Sequence, residues 1–134
     1  MIKQAIIPLA GLGTRMLPLT SVIPKELMPI NGKPNLQYIL DECIEAGIKE
    51  FIFIISKNKL SIKKYFFNDN FYKKIIKKKK DKRLIQEFKK IKKYQKMIKF
   101  VYQNKPKGTG DAVLKCKKLI KNNYFLMLLP DDLI

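Results

Sequence analysis

Lys3-Gln4-Ala5-Ile6-Ile7-Pro8-Leu9-Ala10-Gly11-Leu12-Gly13-Thr14-Arg15 carries the chain from a short apolar run into a glycine-rich loop. Beyond Lys3-Gln4 the run Lys3–Ala10 is apolar rather than alternating, and a glycine-rich loop ends it. That pattern predicts a strand buried on both faces, as in parallel sheets covered by helices. In the loop, glycines let the backbone approach a ligand and aim its N–H groups at a phosphate. Arg15 adds a planar fork of donors suited to phosphate oxygens. Gly11-x-Gly13 lacks the third glycine of a dinucleotide-binding turn and the Gly-Lys-Ser/Thr ending of a P-loop. On spacing alone, a tight turn after a strand explains it equally well.

Working outward, proline-punctuated irregular chain follows through Pro18, Pro24 and Pro29. A helix is predicted from Pro34, with Leu36, Ile39, Leu40, Cys43 and Ile44 on one face and Gly47 where a C-terminal cap belongs. Phe51-Ile52-Phe53-Ile54-Ile55 reads as a second buried strand. Leu60 to Phe67 reads as a helix, and Leu84, Ile85, Phe88 and Ile91 recur at helical spacing. Lys77-Lys78-Lys79-Lys80 between them fits the solvated face or loop of a surface helical excursion. A third strand fits Met97 to Tyr102, and a further core helix fits Ala112, Val113, Cys116, Leu119 and Ile120. A fourth strand fits Tyr124 to Leu129. Buried strands alternating with helices predict an α/β, Rossmann-like fold, a mainly parallel sheet with helices on both faces and right-handed crossovers.

Such sheets bind ligands beyond the carboxyl ends of their strands. The residues that follow the predicted strands are the glycine loop with Arg15, then Ser56, then Gln103 with Gly108-Thr109-Gly110-Asp111, then Asp131-Asp132. Polar, acidic and glycine residues thus converge on one edge, as a site requires. Lys25, in Ile23-Pro24-Lys25-Glu26-Leu27-Met28-Pro29, sits on chain stiffened by prolines, where an ammonium can be aimed at developing phosphate charge. Asp131, after a buried strand and a proline, is placed either to hold Mg²⁺ against a triphosphate or to serve as a loop aspartate or helix cap.

The chain has 134 residues and is 46% hydrophobic, enough for a core, and carries a formal charge of +18. Of its 29 basic residues only Arg15 and Arg83 are arginine. Proteins that read nucleic-acid sequence favour arginine for bidentate base contacts. The abundance of lysine with Ile, Asn, Phe and Tyr matches drift toward A/T-rich codons, which argues against nucleic acid as a partner. No apolar run approaches the roughly 20 residues needed to cross a bilayer, and the N-terminus does not follow a signal-peptide pattern. A cytoplasmic protein without membrane contact is expected. Cys43 and Cys116 fall on apolar helix faces and read as buried free thiols. With no histidine and two cysteines, a structural zinc site is not expected.

The segments Ile7-Pro8-Leu9-Ala10-Gly11-Leu12-Gly13-Thr14-Arg15-Met16-Leu17-Pro18, Ile23-Pro24-Lys25-Glu26-Leu27-Met28-Pro29, Lys33-Pro34, Gln103, Gly108-Thr109-Gly110-Asp111-Ala112-Val113 and Leu129-Pro130-Asp131 together resemble the nucleotidylyltransferases that make sugar nucleotides. Ala-Gly-Leu-Gly-Thr-Arg followed by Ile-Pro-Lys-Glu resembles the bacterial UTP–glucose-1-phosphate uridylyltransferase type. The resemblance runs in order along nearly the whole chain and is weakest from Ser56 to Lys99. It implies a nucleotide-binding set of Leu9, Ala10, Gly11, Leu12, Gly13, Thr14, Glu26, Gln103 and Gly108, with Gln103 on the uracil edge. It implies that Arg15 and Lys25 are the catalytic cations on the triphosphate, and that Asp131 ligates Mg²⁺.

The implied reaction transfers UMP from UTP to glucose 1-phosphate, giving UDP-glucose and pyrophosphate. Two departures stand out: Asp111 occupies a place where the subfamily has histidine, and Thr109 one where it has leucine. Family members also continue beyond the metal aspartate into a sugar-binding half with further strands. Residues 1–134 are therefore expected to be the nucleotide-binding part of a larger domain, with catalysis impaired or lost when alone. Partners expected from this are UTP, glucose 1-phosphate, and a second copy or a second chain supplying the missing half. The alternative is a basic nucleic-acid-binding or interaction module derived from the same fold.

Overall fold

The computed structural model describes residues 2–11, 17–103, 108–121 and 124–128, the side chain of Thr109 excepted. Its main sheet has four strands in the order β5-β4-β1-β6: β1 (Gln4–Pro8), β4 (Glu50–Ile55), β5 (Ile98–Tyr102) and β6 (Leu126–Met127). All three pairings are parallel, with Ile7 opposite Phe53 and Phe53 opposite Phe100. Read by chain position, the sheet runs third, second, first, fourth. The direction of winding therefore reverses between β1 and β6, the switch point at which open α/β sheets form a ligand crevice.

Period-two alternation on these strands feeds two cores rather than one core and a wet face. Ala5, Ile7, Leu9, Phe51, Phe53 and Ile55 point to one face. There they meet α1 (Asn35–Glu45), α2 (Leu60–Phe66) and α4 (Lys82–Gln95) through Leu36, Ile39, Leu40, Ile62, Phe66, Ile91 and Tyr94. Ile6, Ile52 and Ile54 point to the other face, against Ala112 and Cys116 of the segment formed by α5 (Thr109–Lys115) and its continuation. Helices on both faces are thus the reason β1 and β4 are apolar at every position after their first residues, Gln4 and Glu50. Phe53 sits at the centre, with ring centroids 5.9 Å from Phe66 and 5.8 Å from Phe100, both edge-on. Each fully buried side chain of this size contributes roughly 1.5–3 kcal/mol of transfer free energy.

The C-terminal end of α1 forms a Schellman motif. Gly47 at φ 101° donates its N–H to Ile44 O (3.1 Å), and Ile48 N–H reaches Cys43 O (3.0 Å). Pro34 is the residue before the helix rather than its first turn. A short hairpin of β2 (Pro29–Ile30) and β3 (Lys33–Pro34) precedes it, turning through Asn31 (φ 52°) and Gly32 (φ 77°). That hairpin was not predicted from the sequence, although Asn-Gly is the strongest dipeptide for such a turn.

The lysine-rich region resolves into two helices. In α3 (Asp69–Lys79) no residue is buried. Lys80 turns the chain at φ 49°, and the Asp81 side chain caps α4 by accepting from Arg83 N–H at 2.8 Å. Lys77 to Lys80 are all exposed at this turn, as a surface excursion requires. The helix expected to run as far as Ile120 ends at Lys115 and continues as a 3₁₀ turn, Lys117–Leu119. Gln4 anchors that turn by donating to Leu119 O (2.8 Å) and accepting from Lys121 N–H (2.9 Å). Both cysteines are buried and free. Among the described residues no helix is long and apolar enough to cross a membrane.

Candidate functional site

The carboxyl ends of the strands are laced together by backbone bonds. Leu9 N–H donates to Ile54 O (2.7 Å), Gln103 N–H to Ile55 O (2.9 Å), and Leu128 N–H to Ile6 O (3.0 Å). The segments leaving β1, β4, β5 and β6 therefore start from one rigid edge.

After β1, Leu9 turns its side chain into the core, 1% exposed, and spends its N–H on β4, so its side chain and amide serve the fold. Ala10 is half-buried and Gly11 exposed. A Cβ added at Gly11 would meet nothing within 4 Å among the described residues. Leu12, Gly13, Thr14 and Arg15 lie outside the described residues, as does Asp131 after β6.

After β4 comes Ser56, 7% exposed, whose Oγ has no hydrogen-bond partner among the described residues. A 3₁₀ turn, Lys57–Lys59, follows. Lys59 is only 4% exposed and places its ammonium 2.9 Å from both carboxylate oxygens of Glu26. Glu26, 1% exposed, lies in the 3₁₀ turn Lys25–Leu27, which packs beside α1. Its carboxylate is thus committed to Lys59. Lys25 on the same turn is half-buried. Nothing in Ser56-Lys57-Asn58-Lys59 sets Lys59 apart from its many exposed counterparts, so only its burial reveals it.

After β5, Gln103 is 5% exposed. Its side-chain amide donates to Asp111 Oδ2 (2.9 Å) and, at 3.4 Å, to Gly108 O. Gly108, at φ 88°, opens α5 and is exposed. Gln103, Gly108 and Asp111 therefore come together as one cluster. Both neighbours of the amide nitrogen are acceptors, which fixes the orientation of the side chain, its N–H groups held by protein and Oε1 on the opposite side.

Among the described residues no group of three or more histidine, cysteine, aspartate or glutamate side chains could hold a metal. The two thiols take no part in this edge. Burial raises both, and Cys116 is pushed up to about 11.

Comparison with known proteins gives this geometry a context. Residues 4–134 match the family model described as Nucleotidyl transferase. The chain is 41% identical over 133 residues to UTP–glucose-1-phosphate uridylyltransferase 1 of Staphylococcus saprophyticus, covering 99% of this chain and 46% of that protein. It is 42% identical over 136 residues to UTP–glucose-1-phosphate uridylyltransferase of Mycoplasma pneumoniae, covering 99% and 45%. The fold superposes on the UTP-bound UGPase from Acinetobacter baumannii with a TM-score of 0.88 at 37% identity, covering 98% of this chain and 46% of that one. It also superposes on a UDP-glucose pyrophosphorylase complexed with UDP-glucose, at a TM-score of 0.74 and 34% identity. The chain thus spans somewhat under half the length of the relatives it matches. A parallel sheet wound 3-2-1-4, loops gathered at its switch-point edge and a family match from Gln4 onward together place this chain in the nucleotidyl transferase family.

Proposed function

We propose that residues 1–134 form the nucleotide-binding part of a UTP–glucose-1-phosphate uridylyltransferase, which transfers UMP from UTP to glucose 1-phosphate. The observation that carries this reading is the Gln103–Gly108–Asp111 cluster at the sheet edge, in a chain about 40% identical to uridylyltransferases over nearly its whole length. In this reading a phosphate oxygen of glucose 1-phosphate attacks the α-phosphorus of UTP, and pyrophosphate leaves with the electron pair of the broken P–O bond. The enzyme's share is positioning and charge stabilisation, with no covalent intermediate.

Each residue has a task in that scheme. Ala10, Gly11, Leu12, Gly13 and Thr14, with Leu9 at the root of the loop, bring backbone to the nucleotide, and Gly108 lies beside the base. Gln103 accepts from the uracil N3–H, the one ring hydrogen that distinguishes it from cytosine. Arg15 holds the triphosphate and the departing pyrophosphate, and Lys25 neutralises charge at the reacting phosphates. A divalent cation, Mg²⁺, belongs to the scheme. With no cluster of ligands among the described residues, it would rest on Asp131 and on oxygens of the triphosphate, the way this hard cation is ordinarily carried. Glucose 1-phosphate would be held by the part of the relatives' length that residues 1–134 do not span.

The test is pyrophosphate release from UTP, glucose 1-phosphate and Mg²⁺. The chain would be assayed alone and mixed with the separately expressed C-terminal half of a relative. Turnover in the mixture that is abolished by Lys25→Ala and by Asp131→Ala supports the proposal. Turnover that survives both substitutions contradicts the site.

A further inference from the structure

We propose that Lys59 is a positioning residue for Lys25, acting through the buried Glu26 carboxylate. The inference rests on the reading of Lys25 as a phosphate-binding group. Glu26 and Lys59 are 33 positions apart, and their side chains are 2% and 6% exposed. Both oxygens of Glu26 face one ammonium at 2.9 Å. A well-packed apolar pair of the same volume is commonly as stable as a buried ion pair or more so. What the pair supplies that an apolar one cannot is direction. Two equal contacts from one ammonium fix the distance between the two segments and the roll of the one carrying Glu26.

That roll is passed directly to Lys25. The turn Lys25–Leu27 is closed by Leu27 N–H to Pro24 O (3.0 Å) and Met28 N–H to Lys25 O (3.2 Å). In so short a turn, adjacent to a buried proline, Glu26 cannot be fixed without fixing the backbone of its neighbour. The other end of the pair is equally firm. Lys59 N–H donates to Ser56 O (2.9 Å), one residue beyond the fully buried Ile55 that ends β4. The pair thus clamps the turn bearing Lys25 to the carboxyl edge of the central strands. It has an electrostatic consequence as well. With Glu26 neutralised by Lys59, its carboxylate does not stand unpaired beside Lys25, where it would repel a triphosphate.

Removing one partner leaves a buried charge and risks unfolding, so the informative variant is Glu26→Gln/Lys59→Met, which leaves none. Affinities for UTP and for uridine are measured by calorimetry in the full chain, and their ratio isolates the phosphates. The double variant is expected to melt as a folded protein, with the UTP-to-uridine ratio reduced at least about tenfold. Lys25→Ala should reduce that ratio in the parent chain but add less than about twofold to the double variant. An unchanged ratio in the double variant, or a full additional effect of Lys25→Ala, overturns the proposal. A parent chain that does not distinguish UTP from uridine contradicts the phosphate-binding reading instead. The positional claim is then decided by amide exchange at residues 25–28. Exchange there faster by about tenfold in the double variant, with α1 unchanged, supports the clamp, and equal exchange refutes it.

Discussion

Replacing Asp111 with leucine should weaken the choice between uracil and cytosine while leaving the fold intact. Asp111 is half-buried at the start of α5, and its carboxylate accepts from the amide of Gln103 at 2.9 Å. Gln103 itself is 5% exposed, so the bond is made largely out of water. A hydrogen bond to a charged acceptor in such a place contributes about 1.5–3 kcal/mol. Flipping the Gln103 amide to offer N–H to a cytosine N3 sacrifices that bond and sets its carbonyl oxygen against the Asp111 carboxylate. If Gln103 reads the base as proposed, the flip should cost CTP about 10- to 150-fold in affinity relative to UTP in the parent chain, at 1.4 kcal/mol per factor of ten. In Asp111→Leu the amide keeps only the longer contact to Gly108 O (3.4 Å), and the UTP-over-CTP ratio should fall by about tenfold or more. Titration of both nucleotides into parent and variant by calorimetry measures this directly. A variant that melts normally and keeps the parent ratio would show that Asp111 does not orient Gln103, and the argument for base reading at this cluster would fall.

Three further outcomes follow from particular contacts. Ser56→Ala removes a buried hydroxyl with no partner among the described residues, so the ligand-free chain should gain about 1 kcal/mol in urea unfolding, and a loss of stability would show that the hydroxyl is satisfied after all. Gly47→Ala forces a side chain onto φ 101° at the cap of α1 and should cost about 1–2 kcal/mol by the same assay; a neutral result would remove the Schellman motif from the account. Cys116, held protonated by burial up to about 11 against an ordinary value of 9.0, stabilises the fold fully below pH 9. That contribution is lost as pH rises from 9 through 11, because the unfolded thiol ionises first. Cys116→Ala should accordingly flatten the alkaline limb of the stability profile, and in the parent at pH 8 a thiol reagent should label neither cysteine before unfolding. Rapid labelling of the native chain would contradict the burial.

The α/β class and its parallel sheet were legible because the sheet is covered on both faces. Ile6, Ile7, Phe51, Ile52, Phe53, Ile54 and Ile55 are all buried, so no polar alternation hides the strands. Gly47 was legible for a local reason, the left-handed turn it makes. Less visible were features set by tertiary contact. The hairpin at Asn31-Gly32 is only two residues deep on each side, too short to show a pattern. The last core helix stops at Lys115, where the chain turns back toward Gln4, a residue more than a hundred positions away. In the site, Gln103 and Gly108 could be named from resemblance to relatives, and the structure brings them together with Asp111. Lys59 could not be singled out among so many lysines, since what separates it is its burial against Glu26. Leu9 and Glu26, which the same resemblance puts in the nucleotide set, have their side chains engaged in the core and in that ion pair.

Binding of UTP to the purified chain decides whether residues 1–134 form a nucleotide site. It would be measured in Mg²⁺ at moderate salt, with ATP and a single-stranded RNA as competitors. Preferential binding of UTP over ATP, lost in Arg15→Ala and resistant to the RNA, is the result expected of a working nucleotide-binding half. Indiscriminate binding of all three that vanishes as salt rises would show that the lysines govern what this chain binds and that it has no specific nucleotide site.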